Sequence, residues 1–513
     1  LPSTPWIRAA AAAPVSASTT QVGDEEILKE FKKYFRKYKE TVERIEAVRA
    51  LEEVEAPKVV DILVPLLKDR EEPVRDTAMD VLSTFKTQPP IDALLLELTE
   101  QTDSQVRVGI LHALEKGRYP HDGSSVLPCL EDKDWNVRLR ALRALGVLGK
   151  LEVVPAILPL TQDSESGVRV AALDTLALLK AKETVPAAQA ALVDDVWQVR
   201  SSAIQALGLV RDVTSVPLLI DRMEIEEGRL IDDLALALDR LTARGAIRDP
   251  EIWRSFWTTY SDRYQLPSDE EIAKILAKRE ANRALYNPAK GSTAYHGIET
   301  PSRSILFIID VSGSMEDEVT EKDRFKDGNY PSYSRMDITK TELARTIATL
   351  EPYVKFNILS FATKVRPWKK DLVPANVLNK SSAKSWIDAL EPIGGNSKEE
   401  LAEVGFGATA ALDEGKTNTW EVLATALSIP VDPSKSKTKT DEHEVDVDTI
   451  FFLSDGRPTT GYYVKTDAIL QKLLEANELR KVVIHTIAIG EFQKTFMKRL
   501  AEETGGVFVD LGR

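Results

Sequence analysis

Residues 134–145 read DWNVRLRALRAL, and the Val-Arg pair inside this stretch returns at a nearly constant interval along the first half of the chain. The intervals between successive pairs are 32, 31, 31 and 31 residues, and a leucine stands seven residues after each arginine. Positions with these offsets share one face of a helix. The sequence therefore predicts an array of helical repeats, whose Val-Arg pairs are Val74-Arg75, Val106-Arg107, Val137-Arg138, Val168-Arg169 and Val199-Arg200.

A second marker within the same period divides each repeat into two helices. Pro155, Pro186 and Pro217 are again 31 residues apart, and each opens an apolar segment, as is typical of proline in the first turn of a helix. About seven such units fit residues 25–245. Because a helix pair cannot cover its own apolar face, neighbouring units are expected to stack into a curved solenoid. We expect the repeated arginines to pair with acidic residues of neighbouring repeats, and we assign them no binding role.

The Asp-x-x-Val-Arg form of the repeat, at Asp103 and Asp134, resembles HEAT repeats of the short bacterial type. The leucine seven residues after each arginine, and the alanine three residues after four of the five arginines, add to the resemblance. The resemblance covers residues 25–245 and implies an all-α solenoid with an extended surface for partners. Trp135 and Trp197 occupy one repeat phase, 62 residues apart. They could form a partner-facing stripe, but we favour packing at the repeat junction.

The segments outside the array differ from it in composition. Residues 1–24 mix Ala, Ser, Thr and Pro without a helical period and are predicted to be a disordered lead. Residues 246–300 hold an aromatic cluster and a charged helical stretch, which we interpret as a connector that closes the solenoid or docks it to the next domain. From residue 301 to residue 513, short apolar runs alternate with amphipathic helices, which predicts a doubly wound (Rossmann-like) α/β domain with a parallel sheet. Its predicted strands are Ile305–Ile309, Phe356–Phe361, Thr449–Leu453, Val482–Ile489 and Val507–Leu511.

Oxygen-bearing side chains stand where three of these segments end or begin. The first strand ends in Asp310, followed by Ser312 and Ser314; Thr417 opens a helix; Asp455 follows another strand. In such sheets, ligands gather at the carboxyl ends of the strands. Carboxylates and hydroxyls suit a hard divalent cation, Mg²⁺, Ca²⁺ or Mn²⁺. Since this ligand set carries few charges, a bound cation would keep an exchangeable position that a carboxylate of another molecule can fill.

These three segments, in this order, resemble the metal-ion-dependent adhesion site of von Willebrand factor A (vWA) domains. The resemblance implies that Ser312, Ser314 and Thr417 coordinate the cation directly, and that Asp310 and Asp455 act directly or through water. It also implies the fold of that family for residues 301–513. Three polar insertions depart from the pattern, and each is either a partner-binding loop or mobile surface: residues 316–334, 394–414 and 431–447.

Composition and motifs weigh against other classes of function. With 67 Lys and Arg against 81 Asp and Glu, the net charge of −14 disfavours nucleic acid and anionic membranes as partners. The longest apolar runs are too short to predict a transmembrane helix. The segment before Thr417 has Ala410 where a phosphate-binding loop needs glycine, and the five histidines show no nucleophile and carboxylate at catalytic spacing. We therefore expect no enzymatic activity.

The leading hypothesis is a scaffold that assembles or tethers a multi-subunit complex or filament. Its partners would be other proteins, enzyme subunits or copies of the same chain, held through an acidic residue at the cation and through the HEAT surface. Bacterial proteins that join HEAT repeats to an A domain look similar across the junction, around Tyr295–Ile298, which implies a bacterial chain. We expect it to be exported, to the periplasm, another extracytoplasmic compartment or the cell surface. The alternatives are an extracellular adhesion receptor and an accessory subunit of a metal-inserting or remodelling ATPase.

Overall fold

The computed structural model describes residues 17–282, 293–394, 415–432, 443–490 and 494–511. The chain divides into two compact units, Leu1–Ile157 and Leu158–Arg513. The division falls inside the helical array, so the later repeats belong to the same unit as the sheet. Among the helices described, none is both long and apolar enough to cross a membrane.

All the regular secondary structure described in the first unit is helical. Its first helix begins at Ala17. Residues 1–16 of the predicted disordered lead lie outside the described residues, whereas residues 17–24, the last eight of that lead, are helical. The helices of this unit are α1 (Ala17–Tyr34), α2 (Thr41–Arg49), α3 (Pro57–Leu63), α4 (Glu72–Leu82), α5 (Gln88–Glu100), α6 (Ser104–Gly117), α7 (Trp135–Leu148) and α8 (Val154–Ile157).

The helical repeat continues into the second unit with the same internal spacing. The valine and leucine of every repeat pair are buried in both units, which confirms that these positions form the repeat core. Pro186 and Pro217 lie in the first turns of their helices, as predicted. These helices are α9 (Ser166–Leu178), α10 (Thr184–Ala191), α11 (Trp197–Val210), α12 (Ser215–Met223), α13 (Leu230–Thr242), α14 (Pro250–Tyr260) and α15 (Asp269–Asn282).

The repeated arginines are used within the array. In the second unit, Arg169 makes two hydrogen bonds to Asp194, of 2.9 and 3.0 Å, and Arg200 pairs with Glu226 at 2.7 Å. Arg107 pairs with Asp132 in the same way in the first unit. Each partner lies 25 or 26 residues further along the chain, in the next repeat. The arginines therefore form the predicted ladder between repeats.

The aromatic cluster of the connector is partly buried, and a β-hairpin follows α15. Trp253 is fully buried and its indole N–H donates to the carbonyl oxygen of Ile247 at 2.8 Å. The hairpin consists of β1 (Thr293–Tyr295) and β2 (Ile298–Thr300). Tyr295 is buried at right angles to Phe307 and Phe451, each with a ring-centroid distance of 5.5 Å. The core of the sheet domain thus includes residues that precede the predicted boundary at residue 301.

The sheet contains the five predicted strands and two short ones. β4, β3, β7, β8 and β9 lie side by side in that order and run parallel, while β5 and β6 pair antiparallel with β4. The sheet of the described residues is therefore mixed. Its strands are β3 (Ser304–Asp310), β4 (Lys355–Phe361), β5 (Val365–Pro367), β6 (Val373–Pro374), β7 (Thr449–Ser454), β8 (Val483–Ala488) and β9 (Phe508–Asp510).

Helices cover both faces of this sheet, as the alternation of apolar runs and helices predicts. One face packs Phe307 and Phe451 against α16 and α17, and the other packs Ile308 and Phe452 against the remaining helices. The neighbouring residues 307 and 308 point to opposite faces because side chains alternate along a strand. The helices are α16 (Arg335–Thr349), α17 (Val377–Asp388), α18 (Thr419–Ala426), α19 (Thr466–Arg480) and α20 (Lys494–Glu503).

Of the three insertions, the first is described completely. Residues 316–334 form a closed loop whose base is a bridge between Glu318 and Ser334, and Phe325 from this loop is buried in the domain core. The second insertion, 394–414, lies outside the described residues except for Gly394. Of the third, 431–447, residues 431, 432 and 443–447 are described.

The end of the third insertion docks on the N-termini of two repeat helices. At α6 the side chain of Asp103 accepts backbone N–H groups of the first turn, but at α9 the corresponding Glu165 makes no such bond. There the N–H of Gly167 donates to Nε2 of His443 at 3.0 Å. A side chain from the sheet domain thus satisfies a helix terminus that lacks its own cap.

The next repeat helix holds the same segment through a tryptophan. The indole N–H of Trp197 donates to the carbonyl oxygen of Val445 at 3.1 Å, and the residue before it, Val196, provides no side-chain cap to α11. Lys481 adds an ion pair to Asp174 at 2.7 Å. The side chain of Trp197 therefore contacts the sheet domain.

We expect Trp197→Phe to weaken this docking. Removing the indole N–H leaves the carbonyl of Val445 without this donor and should cost about 1 kcal/mol. Hydrogen exchange of the peptide covering residues 443–449 should become faster. Trp135→Phe is the matched control, because Trp135 opens α7 at the equivalent repeat position. Equal acceleration of exchange in both variants would contradict this account of the contact.

Candidate metal site

The turn after β3 presents a buried carboxylate and two serines. Asp310 is the last residue of β3 and is fully buried. One carboxylate oxygen, Oδ1, accepts the backbone N–H of Ser312 at 2.8 Å, and the other, Oδ2, accepts the hydroxyl of Ser454 at 2.6 Å. Ser314 lies in the 3₁₀ turn that follows, Gly313–Glu316. Both oxygens of the Asp310 carboxylate are thus fixed in orientation.

The end of β7 brings the second carboxylate to the same edge. β3 and β7 are parallel neighbours with Ile309 opposite Leu453. Asp310 lies one residue after Ile309 and Asp455 two residues after Leu453, so both aspartates lie at the same end of the sheet. The hydroxyl of Ser314 donates to Oδ1 of Asp455 at 2.9 Å and lies 3.4 Å from the hydroxyl of Ser312. The structure therefore joins four of the five predicted site residues through direct contacts.

Thr417 lies beside this group on the loop before α18. Its backbone N–H donates to the hydroxyl of Thr459 at 2.9 Å, and its carbonyl oxygen accepts the N–H of Thr459 at 2.9 Å. A methyl group placed on Gly456 would lie 3.1 Å from the Thr417 hydroxyl and 3.8 Å from that of Ser314. The two hydroxyls therefore flank one point on the backbone, and glycine at 456 leaves the space between them open.

The two carboxylates are buried close to each other. Burial, and then the neighbouring Asp455, raise the pKa of Asp310 to about 7. Burial also raises the pKa of Asp455, although its contact with Arg335 works in the opposite direction. Two desolvated carboxylates favour a cation between or beside them, because it offsets both desolvation and mutual repulsion.

The donor chemistry fits a hard divalent cation. The described residues hold no group of three or more His, Cys, Asp or Glu side chains arranged for a metal. The converging set is instead two carboxylates and three hydroxyls, all oxygen. Such a set suits Mg²⁺, Ca²⁺ or Mn²⁺ better than a thiophilic metal. With only two carboxylates it leaves room for a ligand from outside the chain.

Two residues of the site were not among the predicted ligands. Ser454 orients Asp310, and its only sequence signal is its position before Asp455. Arg335 is the larger omission: one terminal nitrogen, Nη1, donates to Oδ2 of Asp455 at 2.7 Å and to the carbonyl oxygen of Ser314 at 3.1 Å. The sequence separates Arg335 from the Asp310 motif by the whole first insertion, so spacing gave no indication of this contact.

A cavity of about 1050 Å³ lies at the other edge of the sheet. Its lining includes Thr449 and Val483, which are the first residues of β7 and β8, whereas the candidate metal site lies where the strands end. None of the five predicted site residues lines it. The candidate site therefore lies at the opposite end of the strands and is no part of this cavity.

Two family models match separate parts of the chain. Residues 28–115, 123–207 and 154–239 match the family model of HEAT repeats. Residues 332–510 match the family model of the von Willebrand factor type A domain. The Asp310 turn precedes the second match, so its place in the site comes from the geometry above.

Individual relatives cover part of the chain at low identity. Inter-alpha-trypsin inhibitor heavy chain H2 of Mesocricetus auratus is 27% identical over 206 residues, which are 40% of this chain and 17% of the relative. Heavy chain H4 of Homo sapiens is 25% identical over 215 residues, 42% of this chain and 19% of the relative. The chain thus spans less than a fifth of the length of these relatives.

Among solved structures, a von Willebrand factor type A protein from Catenulispora acidiphila has 18% sequence identity and a TM-score of 0.27. That match covers 41% of this chain and 39% of the other. The two family matches agree with the helical repeats and the mixed sheet described above. The chain therefore combines HEAT repeats with a von Willebrand factor type A domain that follows them.

Proposed function

We propose that this chain is a non-enzymatic scaffold that assembles or tethers a multi-subunit complex or filament. The observation that carries the proposal is the group of two buried carboxylates and three hydroxyls at the carboxyl ends of the strands. Asp310, Ser312, Ser314, Thr417 and Asp455 would hold one divalent cation, Mg²⁺ or Ca²⁺, with Mn²⁺ as a substitute. When bound, the cation would supply an electrophilic position for an acidic side chain of a partner protein.

The HEAT repeats provide the second surface that a scaffold needs. HEAT repeats and vWA domains are both modules of protein interaction, and the match to both supports this class of role. The ladder of Arg169 and Arg200 is internal to the array, so partners would meet other exposed positions. Further copies of the chain or enzyme subunits are the partners proposed. We place the protein in a bacterium, outside the cytoplasm.

An adhesion receptor is the second candidate function. The vWA match and the similarity to inter-alpha-trypsin inhibitor heavy chains support an adhesion-type role as well as a scaffold. Such a receptor would use the same cation and an extracellular ligand. The identity of the captured partner distinguishes the two functions.

Capture from the native source tests the proposal. The chain serves as bait with a divalent cation, with a chelator, and as the Asp310→Ala variant. Asp467→Ala is the matched control, since Asp467 lies on α19 of the same domain, outside the three insertions, and is 93% exposed. We expect a defined set of proteins that is lost on chelation and with Asp310→Ala but kept with Asp467→Ala. Retention of the same set under all conditions would refute a cation-dependent scaffold.

A further inference from the structure

Arg335 is a buried cation that contacts one carboxylate of the candidate metal site. Its side chain is 12% exposed and pairs with Asp455, whose side chain is fully buried. The same terminal nitrogen reaches the carbonyl oxygen of Ser314, in the turn that carries the predicted hydroxyl ligands. Among the described residues, Arg335 is thus the positively charged side chain that lies closest to the carboxylate of Asp455.

The position of Arg335 in its helix does not explain its placement. It is the first residue of α16, where the helix dipole is positive and a cationic side chain is unfavourable. The preceding Ser334 caps the helix by accepting the N–H of Asp337. The attraction that offsets the dipole comes from Asp455, at 2.7 Å, because the other acidic neighbour, Asp317, is 3.5 Å away and 47% exposed to water.

The charges of the site then decide what it can bind. Asp310 and Asp455 carry two negative charges when ionised, and Arg335 offsets one of them. With a divalent cation bound, the three side chains and the cation together carry one positive charge. Without Arg335 the same loaded site would be neutral. An approaching carboxylate is attracted by the first arrangement much more than by the second.

We propose that Arg335 is the residue that makes the loaded site selective for an acidic partner, at the expense of cation affinity. This inference rests on the proposed function. Arg335 competes with the cation for the negative charge of Asp455, so it weakens cation binding. It also leaves the loaded site with the positive charge that a partner carboxylate neutralises.

The alternative role for Arg335 is mechanical, and it predicts a different outcome. If Arg335 only held Asp455 in position, its loss would disorder a ligand and weaken both cation binding and carboxylate binding. The proposed role predicts changes of opposite sign in the two affinities. A folding defect cannot imitate that result, since it would lower both.

Binding of Mn²⁺ and then of acetate to the full chain tests this. Bound Mn²⁺ increases the relaxation rate of water protons, and acetate lowers that enhancement where it displaces coordinated water. For Arg335→Gln we expect about tenfold tighter Mn²⁺ binding and about tenfold weaker acetate binding to the loaded protein. Arg335→Lys, which keeps the charge, should remain close to wild type in both.

Arg345→Gln is the matched control, because Arg345 lies on the same helix and pairs with Glu342 instead of the site. It should leave both affinities unchanged. Weaker Mn²⁺ binding by Arg335→Gln, or an unchanged acetate response, would overturn the role given to Arg335 and leave the cation site standing. Failure of the wild-type chain to bind Mn²⁺ at all would overturn the proposed function and this inference with it.

Discussion

Replacing Asp310 with asparagine is expected to lower the affinity for Mg²⁺ and Ca²⁺ by at least about a hundredfold. Asparagine keeps the shape of the side chain and can still accept the N–H of Ser312. It removes one of the two negative charges that offset the cation, and the hydroxyls of Ser312 and Ser314 cannot replace it. Isothermal titration calorimetry of the full chain measures the loss directly.

The same variant should remain folded, which separates lost binding from lost structure. Because burial raises the pKa of Asp310, the folded chain without cation is destabilised by this carboxylate as the pH rises from the usual range of an aspartate through about 7. A neutral side chain avoids that cost, so the melting temperature at pH 8 should be equal to or above that of the metal-free wild type. Asp323→Asn is the control and should bind cations normally. Unchanged affinity in Asp310→Asn would remove Asp310 from the site.

Tyr295→Ala is expected to destabilise the sheet domain by about 4 kcal/mol. Tyr295 is 1% exposed and contacts the rings of Phe307 and Phe451, which lie on the two central strands β3 and β7. Truncation leaves a cavity between these rings that the sheet cannot close. Chemical denaturation followed by the fluorescence of the domain's tryptophans measures the change.

Tyr353→Ala is the control for that substitution. Tyr353 is 54% exposed and lies over Arg303 at the surface, so its loss should cost less than about 1 kcal/mol. Equal destabilisation by the two variants would show that the hairpin of β1 and β2 contributes no more than a surface contact, and that the domain core begins at residue 301 after all.

The main strands were predictable because each is a continuous apolar run, as expected of a strand in a sheet that helices cover on both faces. Thr449–Leu453, for example, differs from the observed β7 by a single residue at its end. The short elements had no such signal: Val365–Pro367 spans three residues, and β6 spans two. The hairpin of β1 and β2 was missed for the same reason, although His296 and Gly297, both with positive φ, form a typical hairpin turn.

One helix began earlier than its amphipathic pattern indicated. The sequence predicts a helix over Ala383–Leu390, but α17 starts at Val377, six residues earlier, because Asn376 caps it. Val377 and Leu378 are 79% and 80% exposed, so two apolar residues face water at its start and obscure the period. Exposure of this kind depends on what surrounds the helix, which periodicity alone does not report.

The candidate site was predictable where topology alone brings residues together. Asp310 and Asp455 meet because their strands are parallel neighbours in register. Arg335 was not predictable, since its contact with Asp455 joins residues that are 120 positions apart in the sequence. The docking of His443 on Gly167 spans 276 positions, and its only trace in sequence is the missing aspartate cap at Glu165.

An anomalous difference map from crystals of the full chain grown with Mn²⁺ tests the central claim most directly. We predict one strong peak at the carboxyl edge of the sheet, within coordination distance of the hydroxyls of Ser312, Ser314 and Thr417. The carboxylates of Asp310 and Asp455 should lie in direct contact with it or one water away. A peak elsewhere with this edge empty, or an edge where Arg335 excludes Mn²⁺ at saturating concentration, would contradict a cation-dependent function.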